Sequence, residues 1–153
     1  MLIPKEFFVT SGKAVSSVSK LNAFDLALKA AGIEHCNIVK VSSILPPNCR
    51  EVSQRTLPVG AITYAVLARM DGSAGSTISA GIALAHEAKD GYGIVAEAHG
   101  HMDEKTTRDV LESRVKEMAR ARGIEIGEIK YRIETLNVPL EKYGCTVVAL
   151  IYL

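Results

Sequence analysis

The stretch Asn37-Ile38-Val39-Lys40-Val41-Ser42-Ser43-Ile44-Leu45-Pro46-Pro47 constrains this chain more than any other. It starts as a strand, predicted from about His35 to Ser43, with apolar Ile38, Val39 and Val41 around Lys40. It runs into two prolines, which lock φ and lack a backbone donor, so the strand cannot continue through them. Ile44 and Leu45 are held extended ahead of those prolines. Ser42 and Ser43 therefore sit where a strand is forced to leave its sheet, a place where backbone strain can be stored. Read alone, the pair is either a strand end with two solvent-facing serines or a site where Ser43 attacks its own backbone.

The rest of the chain narrows the setting. With 153 residues, 48% of them hydrophobic, it fits one domain with a sizeable core. A net charge of +1 offers no electrostatic footprint for DNA or RNA, and 5% aromatics without Trp supply few stacking platforms. The three cysteines, Cys36, Cys49 and Cys145, form no Cys-x-x-Cys pair and are accompanied by only 4 His, so neither a disulfide framework nor a metal site is expected. Cys36 and Cys145 read as small buried hydrophobes. The start, Met1-Leu2-Ile3-Pro4-Lys5-Glu6, is unlike a signal peptide, and no run is apolar for long enough to cross a membrane. A reducing, cytoplasmic location is the expectation. No GxGxxG, P-loop or HExxH pattern occurs.

In order, Phe7–Thr10 reads as a short strand, Ser11-Gly12-Lys13 as a turn, and the stretch to Ser19 as a loop or weak strand. Asn22 reads as a helix N-cap, with Asp25 in the first turn and Gly32 ending the helix at the C′ position. The polar run from Pro46 to Thr56 reads as a loop, and Ala61–Ala68 as a buried strand closed by a hairpin signal at Asp71-Gly72. Thr77–Ala85 is an apolar run whose Ser79, Ala80, Gly81 and Ala83 suggest close packing on another backbone. Lys89-Asp90-Gly91 reads as a turn, and Tyr92–His99 as a strand that contains Glu97. Asp103 caps the clearest helix, which ends at Gly123 and carries the apolar stripe Val110, Leu111, Val115, Met118 and Ala119. Its charged face mixes acids and bases and reads as solvated surface. Ile129–Val138 and Gly144–Leu153 read as two closing strands. Two helices and about seven strands without a βαβ repeat predict an α+β protein, sheet packed on sheet with helices outside.

Three polar groups stand in apolar surroundings: Asn37, the Ser42–Ser43 pair and Glu97. Glu97 between two alanines either shares an exposed face with His99 or lies in a partly buried pocket, where burial would make it a usable proton donor. Asn37 reads as a strand-edge hydrogen-bonding residue or an oxyanion donor, and Asp25 as a helix-terminus carboxylate.

Leu21-Asn22-Ala23-Phe24-Asp25, Asn37 with Val41-Ser42-Ser43-Ile44-Leu45-Pro46-Pro47, Leu57-Pro58-Val59-Gly60-Ala61, Thr77-Ile78-Ser79-Ala80, Glu97 and Glu141-Lys142-Tyr143-Gly144-Cys145 together resemble the archaeal pyruvoyl-dependent arginine decarboxylases, over nearly the whole chain. The resemblance implies an αββα sandwich of two mainly antiparallel sheets with outer helices, in a single domain 1–153 that cuts itself into a β chain, 1–42, and an α chain, 43–153. The Ser43 hydroxyl would attack the Ser42 carbonyl, an N-to-O shift followed by β-elimination, hydrolysis and loss of ammonia. Ser43 would thereby become a covalent pyruvoyl group, with no metal and no pyridoxal phosphate. The resemblance further implies Ser43, Glu97 and Asn37 as catalytic, with Glu97 protonating the α-carbon, and Asp25, Leu28, Ser42 and Ile44 as substrate-binding. The substrate would be L-arginine and the products agmatine and CO2. The assembly would be a homotrimer with sites between subunits, or a dimer of such trimers. Glu34-His35-Cys36 departs from the small residues usual before the asparagine, which bears on the substrate. Two alternatives stand beside this: a pyruvoyl decarboxylase of another amino acid, and a trimeric structural or regulatory protein that never cleaves.

Overall fold

The computed structural model describes every residue except Asp90, so the turn expected at Lys89-Asp90-Gly91 lies outside the described residues. Among the described residues there are nine strands and two helices. In order they are β1 (Glu6–Ser16), α1 (Lys20–Ala30), β2 (Asn37–Lys40), β3 (Ile44–Leu45), β4 (Arg50–Glu51), β5 (Ile62–Gly72), β6 (Thr77–His86), β7 (Gly93–Gly100), α2 (Glu104–Arg122), β8 (Lys130–Asn137) and β9 (Tyr143–Tyr152). One sheet has the order β2-β5-β9-β1-β4 and the other β3-β7-β6-β8. All pairings are antiparallel except those of β1 with β4 and of β2 with β5.

Strand alternation sorts the side chains into layers. Cys145, Val147, Ala149 and Ile151 of β9 face α1, where Ala23, Ala27 and Ala31 meet them. Val148 and Leu150 face the other way and pack with Phe7 and Val66 against Ala80, Ile82, Leu84 and Val95 of the second sheet. Beyond that sheet, Leu111, Val115 and Ala119 of α2 cover Ala83, Ala85, Ile94, Ala96 and Ala98. The expected αββα order of layers is thus observed. Strand β9 is apolar from Gly144 on, Thr146 apart, because both of its faces are buried there. No helix among the described residues is long and apolar enough to cross a membrane.

Helix α2 follows its sequence signals. The Asp103 side chain accepts from the Thr106 N–H, and Gly123 adopts the left-handed conformation (φ 64°) that ends the helix. Helix α1 starts three residues earlier than the Asn22 cap predicts. Ser19 is its N-cap, accepting from the Asn22 N–H, and the Asn22 side chain accepts from the Ser19 hydroxyl (2.6 Å). Asp25 is consequently mid-helix. Gly32 does end α1, with φ 73° and its N–H donating to the Lys29 carbonyl while Ile33 donates to Leu28.

Ser11-Gly12-Lys13 is not a turn but the middle of an eleven-residue strand. The glycine is there because α1 crosses directly above it. A Cβ on Gly12 would lie 2.2 Å from the Ala27 carbonyl oxygen and 2.8 Å from the Ala31 nitrogen. Gly12→Ala is therefore expected to cost roughly 2–3 kcal/mol, lowering the melting temperature by about 5–10 °C in a thermal melt. Asp71-Gly72 is not a hairpin either. It ends β5, the turn follows at Ser73–Ser76 with Gly75 at φ 77°, and β6 continues in the opposite sheet. On β6 the small residues make room for side chains rather than backbone, since a Cβ on Gly81 would meet Leu111 at 2.9 Å. Cys145 and Cys49 are buried and Cys36 half-buried. The loop expected from Pro46 to Thr56 contains the short edge strand β4.

Candidate active site

The predicted strand from His35 to Ser43 proves shorter, β2 at Asn37–Lys40, and Ile44–Leu45 beyond it form β3 in the other sheet. Val41 still belongs to the first sheet, donating its N–H to the Ala65 carbonyl (2.9 Å). Two residues later the Ser43 carbonyl accepts from the Val95 N–H of the second sheet (2.9 Å). Ile44 and Leu45 then pair with Ile94 and Gly93 before Pro46 ends the ladder. Only Ser42 is left to span the gap between the sheets.

The two serines open onto different hollows. Ser42 lines an apolar cavity with Leu2, Val41, Ile44, Tyr64 and Tyr152. Ser43 lines an open groove of about 450 Å³ with Val95, Ala96, Glu97, Arg114 and Met118. Ser43 and Glu97, 54 positions apart in sequence, thus share one groove. Glu97 is neither on a free solvent face nor deeply buried. Its side chain is 21% exposed and accepts from the Lys40 ammonium at 2.8 Å. Arg114 of α2 donates to the Glu97 backbone carbonyl. The Lys40–Glu97 pair joins the edge strand β2 of one sheet to β7 of the other. Partly exposed, it contributes at most about 1 kcal/mol to stability, so its main effect is to orient the carboxylate.

The remaining expected site residues lie elsewhere. The Asn37 side-chain amide donates to the Gly60 carbonyl (2.9 Å), tying β2 to the loop before β5. Ile44 follows Ser43 directly and is exposed beside Ser42 in the apolar cavity. Asp25 is exposed and Leu28 half-buried on α1, the outer layer opposite α2. One copy of the chain therefore brings Ser43 and Glu97 to one groove and Ser42 and Ile44 to the adjacent cavity, and places Asn37, Asp25 and Leu28 in neither. Glu34 is exposed and its carboxylate lies 3.6 Å from His35 Nδ1, while His35 Nε2 bonds the Leu57 carbonyl (2.8 Å). Glu34 lines neither hollow.

Tyr152 was invisible as a site residue in sequence, being one more apolar position of a buried terminal strand. Its hydroxyl donates to the Ile44 carbonyl at 2.8 Å. Burial, and to a lesser degree the nearby Cys49, pushes this hydroxyl up to about 12, so it remains a donor at any physiological pH. Burial likewise pushes the Cys145 thiol up to about 12 and raises Cys49, which makes both poor nucleophiles.

The pyruvoyl-dependent arginine decarboxylase family model matches residues 6–153. Among similar curated proteins, the pyruvoyl-dependent arginine decarboxylase of Methanothermobacter thermautotrophicus is 40% identical over 154 residues, covering 100% of this chain and 99% of its own length. That of Methanopyrus kandleri is 34% identical, with 99% of both chains covered. Pyruvoyl-dependent arginine decarboxylase 2 of Archaeoglobus fulgidus is 39% identical, with 82% of both covered. End-to-end matches of this kind, on a chain whose sheet-to-sheet crossing falls at Ser42–Ser43, settle its kinship: it belongs to the pyruvoyl-dependent arginine decarboxylase family.

Proposed function

We propose that this protein cuts itself between Ser42 and Ser43 and then decarboxylates L-arginine to agmatine and CO2. One observation carries the reading: the serine pair forms the crossing between two sheets, and Ser43 shares its groove with the Glu97 carboxylate. In the cutting step the Ser43 hydroxyl oxygen bonds to the Ser42 carbonyl carbon. The Ser42–Ser43 amide bond breaks, and the hydroxyl proton ends on the freed Ser43 nitrogen. β-Elimination from the resulting ester releases residues 1–42 with a new carboxylate on Ser42, and hydrolysis of the remaining dehydroalanine releases ammonia.

The residues around Ser43 suit a pyruvoyl group at that position. Ser43 supplies the carbon skeleton, and the Val95 N–H holds its carbonyl. Once formed, the group supplies a ketone that captures a substrate amine, with an adjacent carbonyl as electron sink. Glu97 delivers the proton to the substrate α-carbon, and Lys40 orients it. Asp25 pairs with the guanidinium of arginine, a charge-assisted contact, with Leu28 against the aliphatic stem. Since Asp25 and Leu28 lie on the far layer of their own chain, a neighbouring copy brings them to the groove, and the assembly is a trimer. Exposed Val39, Ile44, Val59, Ile62 and Tyr64 near the β2 edge support such a contact. A cytoplasmic setting belongs to the same proposal, in keeping with three free thiols.

Intact mass after prolonged incubation tests the cut, with two fragments expected and the larger lacking a free amine. A CO2-release assay across the amino acids tests the substrate, with L-arginine expected to exceed all others. A chain that stays whole overturns the first part, and equal rates with other amino acids overturn the second.

A further inference from the structure

Strand β3 is two residues long and forms an edge of its sheet. In its antiparallel ladder, Ser43 faces Val95 as a hydrogen-bonded pair, so the next residue, Ile44, directs its N–H and carbonyl away from β7. An edge carbonyl of this kind ordinarily goes to water. Here it accepts from Tyr152, whose side chain comes from β9, the central strand of the other sheet. Tyr152 is well anchored, because its backbone pairs with Phe7 and the adjacent Leu153 donates to Glu6 (2.8 Å). The chain around the serines is thereby gripped in series: Val41 by Ala65, Ser43 by Val95, and Ile44 by Tyr152.

We propose that Tyr152 is a positioning residue for self-cleavage, its hydroxyl fixing the Ile44 peptide so that Ser43 is held against the Ser42 carbonyl. The inference rests on the cutting reaction given above. That reaction needs the Ser43 oxygen within bonding reach of a carbonyl carbon on the preceding residue, and rotation about the Ser43 backbone carries it away. The ladder to Val95 and Gly93 holds β3 from the β7 side only and leaves this sheet edge free to rock about it. The Tyr152 bond supplies a second fixed point from the opposite sheet and removes that freedom, an orientation effect on the rate.

The test is Tyr152→Phe, which keeps the buried ring and removes only the donor. Cleavage is followed by the ratio of intact chain to fragments in time-resolved mass spectra, alongside a thermal melt. Losing one such bond is expected to slow cleavage about tenfold. Tyr131→Phe, on β8 against α2, is expected to cleave at the wild-type rate. A ring-fluorinated tyrosine at position 152, which retains the donor, is expected to restore the rate. Tyr152→Phe cleaving as fast as wild type, or Tyr131→Phe slowing cleavage equally, overturns the inference while leaving self-cleavage intact. A wild-type chain that never cuts overturns both.

Discussion

Ser43→Ala is expected to yield a chain that folds, stays whole and does not decarboxylate arginine. The methyl group of alanine occupies the place of the serine Cβ, and the backbone bond from Val95 to the residue 43 carbonyl does not involve the side chain. The sandwich and its crossing should therefore persist, with a melting temperature close to that of the uncut wild type. What is lost is the oxygen assigned to attack the Ser42 carbonyl and, with it, the ester whose β-elimination would turn residue 43 into the pyruvoyl group. Intact mass should show a single species at all times. Arginine turnover should fall to the uncatalysed background, roughly a million-fold or more. Fragments 1–42 and 43–153 from this variant would show that Ser43 is not the nucleophile.

Glu97→Gln separates the two reactions. Glutamine keeps the shape of the side chain, and its amide oxygen still accepts from Lys40. The groove beside Ser43 is thus preserved, and cleavage should proceed. The amide cannot deliver a proton, so arginine turnover should drop about 100- to 10,000-fold, the usual worth of a positioned general acid. The loss should appear in kcat more than in KM, because Glu97 is assigned to the proton and not to holding the substrate. Near-normal turnover by a fully cut variant would remove Glu97 from that role.

Much of the site was legible because its features are local. Two prolines after an alternating apolar run mark where a strand ends, and the sheet-to-sheet crossing lies at the two serines just before them. Helix α2 was legible because Asp103, its apolar stripe and Gly123 each carry their own signal. Sheet membership was not. The turn after Gly72 and the one between β8 and β9 resemble hairpin connections, yet each carries the chain to the opposite sheet. Turn residues report how the chain bends and not what the next strand pairs with. Gly12 misled for a related reason: glycine marks a turn by its conformational freedom, but at position 12 what counts is the absence of a Cβ beneath α1. Lys40 and Tyr152 act through partners 57 and 108 positions away in sequence, which no spacing rule reaches. The separation of Asp25 from Glu97 in one copy likewise follows only from knowing which layer each occupies.

Residues 1–42 carry β1, α1 and β2, and these are woven through the remainder of the fold. Strand β1 runs between β9 and β4, pairing with β9 from Phe7–Tyr152 to Ser16–Tyr143, and β2 lies along β5. A cut after Ser42 consequently changes the molecularity of the protein without freeing a piece of it. The product of the proposed cut would be two chains, the smaller supplying an inner strand, an edge strand and an outer helix, so they would separate only as the sandwich unravels. Its unfolding would liberate two particles in place of one, and its stability would acquire a dependence on concentration that the uncut chain lacks.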